Sequence, residues 1–140
     1  MAAYVKFNSF VEALAEKTHN LGADLLKVAL SNTAPSATMA TLAEITQISS
    51  GAGNGYLTGG SSAAITSSAQ TGGVYKLVLG DVQWTATAAF GPLQYAVLYN
   101  DTAAADELIA YWDRGAPVTL ASGDTITADF DSTTGVLTIT

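Results

Sequence analysis

A mainly β domain is predicted, β-rich α+β in class: an antiparallel sandwich or barrel of seven to eight strands with one N-terminal helix. Three features of the sequence lead there. From Val74 onward the strand signal is nearly continuous, punctuated by short turn signals such as Gly80-Asp81, Ser122-Gly123 and Thr133-Thr134-Gly135. Residues 90–115 hold two apolar, aromatic and β-branched runs around one small polar connection, the pattern of a long antiparallel hairpin. Helical periodicity is confined to the N-terminal part, and no βαβ alternation or internal repeat is present.

The hairpin organises the rest. In its first run Tyr95, Val97 and Tyr99 share one face and Ala96 and Leu98 the other; in its second, Leu108, Ala110 and Trp112 oppose Ile109 and Tyr111. Neither run has a polar face, so both sides must be covered, by this chain or by a partner.

Taken in order, Tyr4-Val5-Lys6-Phe7 is a short arm or first strand. Ser9 with Glu12 has the spacing of a capping box, Phe10 and Leu14 with Leu21 mark an apolar face, and Gly22 is the natural stop, which predicts a helix over residues 9–21. Leu25 to Leu30 reads as a strand, and Leu42, Ile45 and Ile48 fit a short helical turn. Residues 49–73 contain seven of the 13 glycines, which concentrates backbone freedom there. They predict a long Gly/Ser-rich loop or an arm that orders against a neighbour, anchored by Tyr56, Leu57 and Ile65. Ile126, Ala128 and Phe130 then alternate with Thr125, Thr127 and Asp129, and residues 136–139 form a last strand. At 140 residues, the whole of 1–140 is expected to be one domain.

Composition narrows function mainly by exclusion. Twelve acids face five bases, Lys6, Lys17, Lys27, Lys76 and Arg114, for a net charge of −7. So few cations cannot build a phosphate-neutralising patch, which argues against nucleic acid and against an anionic membrane surface. No apolar run reaches the roughly 18 residues of a transmembrane helix, and no basic-then-apolar leader pattern is seen. Without cysteine there is no disulfide, thiolate or sulfur-bound metal.

The remaining chemical signals are weak. His19 is the only histidine and, with no cysteine in the chain, has few partners for zinc or catalysis, so a structural or solvent-facing role is expected. The run from Asp129 to Gly135 lacks the sixth-position glycine and closing glutamate of a calcium loop, and Asp131 and Thr133 read instead as turn initiators. Asp101, Asp106 and Glu107 crowd one hairpin loop with Asp113 nearby, whereas a glycosidase needs two carboxylates opposed across a cleft. The Gly51–Gly60 stretch lacks the lysine and spacing of a phosphate cradle. Tyr75, Trp84, Tyr95, Tyr99, Tyr111 and Trp112 suit a sheet core or an interface better than a sugar platform. No cofactor, metal or catalytic residue is expected.

Four phrases carry a resemblance: Tyr4-Val-Lys-Phe-Asn-Ser-Phe-Val-Glu, Gly53-Asn-Gly-Tyr, Tyr95-Ala-Val-Leu-Tyr-Asn-Asp, and Asp129-Phe-Asp with Gly135-Val-Leu. As a set they resemble small virion structural proteins of tailed bacteriophages, most closely capsid cement or decoration proteins, over nearly the whole chain. The resemblance implies a non-enzymatic homo-oligomer, a trimer, on the outer surface of the capsid and bound to the major capsid protein. Tyr4, Phe7, Tyr56 and Leu57 are the expected contacts. The competing expectation is a tail-tip or tail-fibre module that binds host-surface glycan.

Overall fold

Phe90–Asn100 (β7) and Leu108–Leu120 (β8) form the long hairpin at the centre of the computed structural model, which describes residues 3–51 and 53–140. Around it lie Tyr4–Lys6 (β1), helix Ser9–Ala15 (α1), Leu26–Ser31 (β2), Ser61–Ala63 (β3), Ile65–Thr71 (β4), Val74–Leu79 (β5), Val82–Thr85 (β6), Thr125–Ala128 (β9) and Leu137–Ile139 (β10). The protein is mainly β, as predicted, and its paired strands all run antiparallel. The sheets have the orders β1-β8-β7-β2-β3, β10-β5-β4 and β6-β9.

Each face of the hairpin is covered by its own chain. On the inner face, Leu98, Ile109, Ala110 and Trp112 pack with Val28 and Leu30 of β2 against Leu77, Leu79, Trp84 and Leu137 of the two smaller sheets. On the outer face, Val97, Tyr99 and Leu108 form a second cluster with Phe7, Ala29 and Ile45, flanked by Met39, Leu42 and Tyr111. The register of the hairpin shifts at three points, two of them between Phe90 and Tyr95 and the third within the apolar runs. Leu98 pairs with Ala110 but Tyr99 pairs with Leu108, so Ile109 is an extra residue in the ladder. That bulge turns Ile109 and Ala110 both inward and sends Leu108 outward, where simple alternation had grouped it with Ala110 and Trp112.

The helix stops at Ala15, short of the expected residue 21. Lys17, not Gly22, takes the left-handed conformation, at φ 69°. The Thr18 N–H then reaches the Ala13 carbonyl at 2.8 Å and the Lys17 N–H the Leu14 carbonyl at 3.3 Å, the two bonds of a Schellman ending. Leu21 still enters the core, brought back by a turn in which the Asn20 carbonyl accepts from the Ala23 and Asp24 N–H groups. The expected capping box also fails: Asn8 is the N-cap and makes no side-chain cap bond, and the Ser9 hydroxyl is buried without a partner. The reciprocal carboxylate bond occurs instead at the 3₁₀ turn Leu42–Glu44, where Glu44 accepts from the Thr41 N–H at 3.0 Å.

Strands outnumber the seven or eight expected because half of the Gly/Ser-rich segment is sheet. Residues 61–71 form β3 and β4, and the positive φ of Gly72 and Gly73 turns β4 back into β5. β4 (Ile-Thr-Ser-Ser-Ala-Gln-Thr) has only one large apolar residue to mark it, and it pairs along the full length of β5.

An L-residue in the left-handed region is strained by about 1 kcal/mol relative to glycine. Lys17→Gly is therefore expected to raise the unfolding free energy by up to about 1 kcal/mol, seen as a higher urea midpoint; a lower midpoint would contradict the assigned helix ending.

Candidate functional site

The four expected contact residues do not form one surface. Phe7 is 0% exposed and Tyr56 1%, both inside the chain's own core, which corrects their assignment as contacts for a partner. Tyr4 is half-buried on β1, edge-on to Trp112 with ring centroids 5.8 Å apart. Only Leu57, at 76%, is freely exposed. It heads the turn closed by the Gly60 N–H on the Leu57 carbonyl and leads into β3, at the opposite edge of the five-stranded sheet from Tyr4.

Tyr56 is buried because the glycine-rich segment is fastened to the sheet beneath it. Its hydroxyl accepts from the Leu30 N–H of β2 at 3.1 Å and donates to Gln47 Oε1 at 2.7 Å. The same Gln47 oxygen takes the Gly59 N–H at 2.7 Å, and the Tyr99 hydroxyl donates to the Gly59 carbonyl at 2.6 Å. Burial pushes the Tyr56 phenol up to about 12 and raises Tyr99 as well, Asp101 and Asp106 adding to the latter. Gly60 lies so close to β2 that a Cβ there would meet the Val28 carbonyl oxygen at 1.8 Å. Residues 53–60 are thus a strap pinned to the chain's own sheet, where a loop or an arm ordering against a neighbour was expected.

His19 is structural in its packing. It is 4% exposed, lies 5.5 Å from the Phe10 ring, and has Nδ1 3.1 Å from the Asn100 amide nitrogen. Asn100 Oδ1 accepts from the Thr102 and Ala103 N–H groups, and its amide nitrogen donates to Asp24 at 2.6 Å. The amide orientation is therefore fixed, Nδ1 of His19 must accept, and the ring is neutral with its proton on Nε2. Burial lowers its pKa, against smaller opposing effects of Glu107 and Asp24.

Several carboxylates are occupied in holding loops. Asp131 accepts from the Thr133 and Thr134 N–H groups, the turn role predicted for it, and these bonds pull its pKa down. Asp113 accepts from Gln94 and the Gly115 N–H, and Asp101 pairs with Lys27 at 2.9 Å. Among the described residues no group of three or more histidine, cysteine or acidic side chains could hold a metal ion.

One concavity gathers aromatics. A cavity of about 300 Å³ between β9 and the hairpin is lined by Trp84, Trp112, Phe130 and Tyr95, with Arg114 and Asp129 at its mouth. Both tryptophans are almost fully enclosed, at 3% and 5% exposure, so neither presents an open ring face for sugar stacking. Comparison with protein-family models, curated proteins and solved structures finds no match for this chain.

Two measurements check these assignments. Tyr56→Phe leaves the buried Leu30 N–H without its acceptor and is expected to cost about 1–3 kcal/mol of stability, whereas Leu57→Ser should leave the urea midpoint nearly unchanged. A neutral, buried His19 has its folded pKa below its unfolded one, so its contribution is complete above about pH 6.5 and is lost as pH falls through that value. Stability should therefore decline between pH 7 and 5, before the depressed carboxylates of Glu44, Asp113 and Asp131 come into play, and His19→Gln should flatten that decline. An unchanged slope in the variant would refute the neutral assignment.

Proposed function

We propose that the chain is a non-enzymatic structural protein of a tailed-bacteriophage virion, a cement or decoration protein that binds the assembled capsid shell from outside. The resemblance of its sequence phrases to that group is the starting point. The observation that carries the reading furthest is the use made of its reactive side chains. His19 is locked to Asn100, and Asp24, Glu44, Asp81, Asp113, Asp124 and Asp131 each accept a bond that ties down a loop or a neighbouring strand. Such a chain is built to be rigid and to cover surface.

Cementing works by linkage. A protein that binds the assembled shell and not its dissociated subunits stabilises the shell by about 2.7 kcal/mol per site when free at 100 times its Kd. Many copies, each a homotrimer in this reading, add avidity that one domain lacks. The partner is the major capsid protein.

Purified protein added to bare shells should raise their melting temperature in a saturable way and co-sediment at a fixed ratio to the shell protein. Copy number on purified virions comparable with the shell protein is the matching result. A few copies per particle, together with saturable binding of host-surface glycan, would replace this reading with the tail-fibre one.

A further inference from the structure

A groove of about 640 Å³ runs between α1, β1 and β10, and it continues through Leu14 and Ile139 into a second hollow of about 510 Å³. Its two rims are the ends of different sheets: β1 is the last strand of the five-stranded sheet and β10 the last of the three-stranded one. All of residues 134–140 line it in succession. A strand whose consecutive residues all line a groove presents its backbone edge there, since side chains alone would alternate. The edge is short but open: Leu137-Thr138-Ile139 carries no charge, proline or bulge, three of the devices that blunt a free strand.

The groove is also apolar and locally cationic. Val11 at 51% and Ile139 at 39% are two of the five large apolar side chains left exposed among the described residues, and both line it. Lys6 and Lys17 line the groove and its continuation, and Lys76 sits opposite Thr138 on the neighbouring strand. Asp24 is the one carboxylate side chain lining either hollow, and it is engaged by the Asn20 N–H and the Asn100 amide. Glu12 and Glu16 of the same helical region line neither. On a chain of net charge −7, Lys6 in the groove and Lys17 in its continuation set this region apart. A second copy would bring a surplus of negative charge against an otherwise acidic surface; a local acidic segment of another protein meets the lysines alone.

We propose that this groove is a docking site for an extended segment of a partner protein, one with acidic and apolar residues in alternation, which adds as a strand along β10. Its backbone completes the free edge, one row of side chains covers Val11, Leu14 and Ile139, and the other row meets Lys6 and Lys17. The site stands on its own geometry, wherever the chain acts: failure of shell binding would leave it untouched, and its own failure would leave shell binding through other surfaces open.

The test uses the full chain, labelled with ¹⁵N, and the peptide acetyl-(Glu-Val)₄-amide. Saturable amide shifts are expected at residues 4–6 and 137–139, weakening as salt is raised. The lysine counterpart acetyl-(Lys-Val)₄-amide, and the exposed-site variant Lys6→Glu, should bind roughly tenfold more weakly. Val11→Asp, on an exposed helical position, should weaken the acidic peptide further while the spectrum remains that of the folded protein. Equal affinity for both peptides, shifts centred on another edge, or no binding by either overturns the proposal. So does a concentration-dependent dimer whose own shifts map to these residues, because a second copy would then be the occupant.

Discussion

A hairpin apolar on both faces can exist in water only if two separate layers cover it, and the architecture follows from that requirement. The inner layer is the pair of small sheets, which brings Leu77, Leu79, Trp84 and Leu137 onto Leu98, Ile109 and Trp112. The outer layer has no sheet to draw on. Phe7 and Ile45 supply it from two separate segments, with Met39 and Leu42 at its edge. Full burial of a single large side chain is worth about 1.5–3 kcal/mol, so removing any of these would strip a substantial part of a small domain's net stability. The bulge at Ile109 belongs to the same requirement. It gives β8 one more inward residue than alternation allows, while keeping Leu108 for the outer cluster.

Side chains satisfy several of the backbone groups enclosed by this double covering. Tyr56 reaches the Leu30 N–H where β2 has run past the end of β3, beside the Ile48 N–H bond to the Leu30 carbonyl. Gln47 and Tyr99 hold the adjoining glycines, and Gly60 lets the strap lie against the Val28 carbonyl. With only five cations in the chain, carboxylates are balanced by backbone N–H groups more often than by ion pairs; Lys27 to Asp101 is the one salt bridge among the described residues. Hydrogen bonds to fixed N–H donors suit this chain, because they stabilise a carboxylate without requiring a long side chain to be immobilised.

Much of this could be read from residue order, and the parts that could not share a cause. The hairpin, the alternating β9, the 3₁₀ turn near Leu42 and the Asp131 turn rest on local pattern and local hydrogen bonds, and they stand where the sequence placed them. The helix end was misplaced because Leu21 returns to the core by a turn that mimics helical spacing, and because a lysine occupies the left-handed position that usually marks itself with glycine. The strap reads in the sequence as a loop or an arm ordering against a neighbour for a related reason. Glycine content shows that a backbone can bend, but what pins it, here Gln47, Tyr99 and β2, lies far away in sequence. Tyr56 carried an ambiguous signal, since a tyrosine flanked by glycines suits an interface anchor and a buried strut alike.

The double covering also restricts how this protein can join anything else. Had one hairpin face been bare, association would have used a broad apolar sheet surface, with the large non-directional burial of an obligate interface. Both faces are closed internally, so the groups left over are strand edges, turn tips and small apolar spots beside them. Contacts built from such parts are directional, because backbone hydrogen bonds fix register, and individually modest, because little area is buried. Strength must then come from repetition or from a partner segment that is ordered as it binds. The β1–β10 gap suits the second of these: it has a strand edge that would set register, with exposed Val11 and Ile139 and the Lys6 side chain beside it.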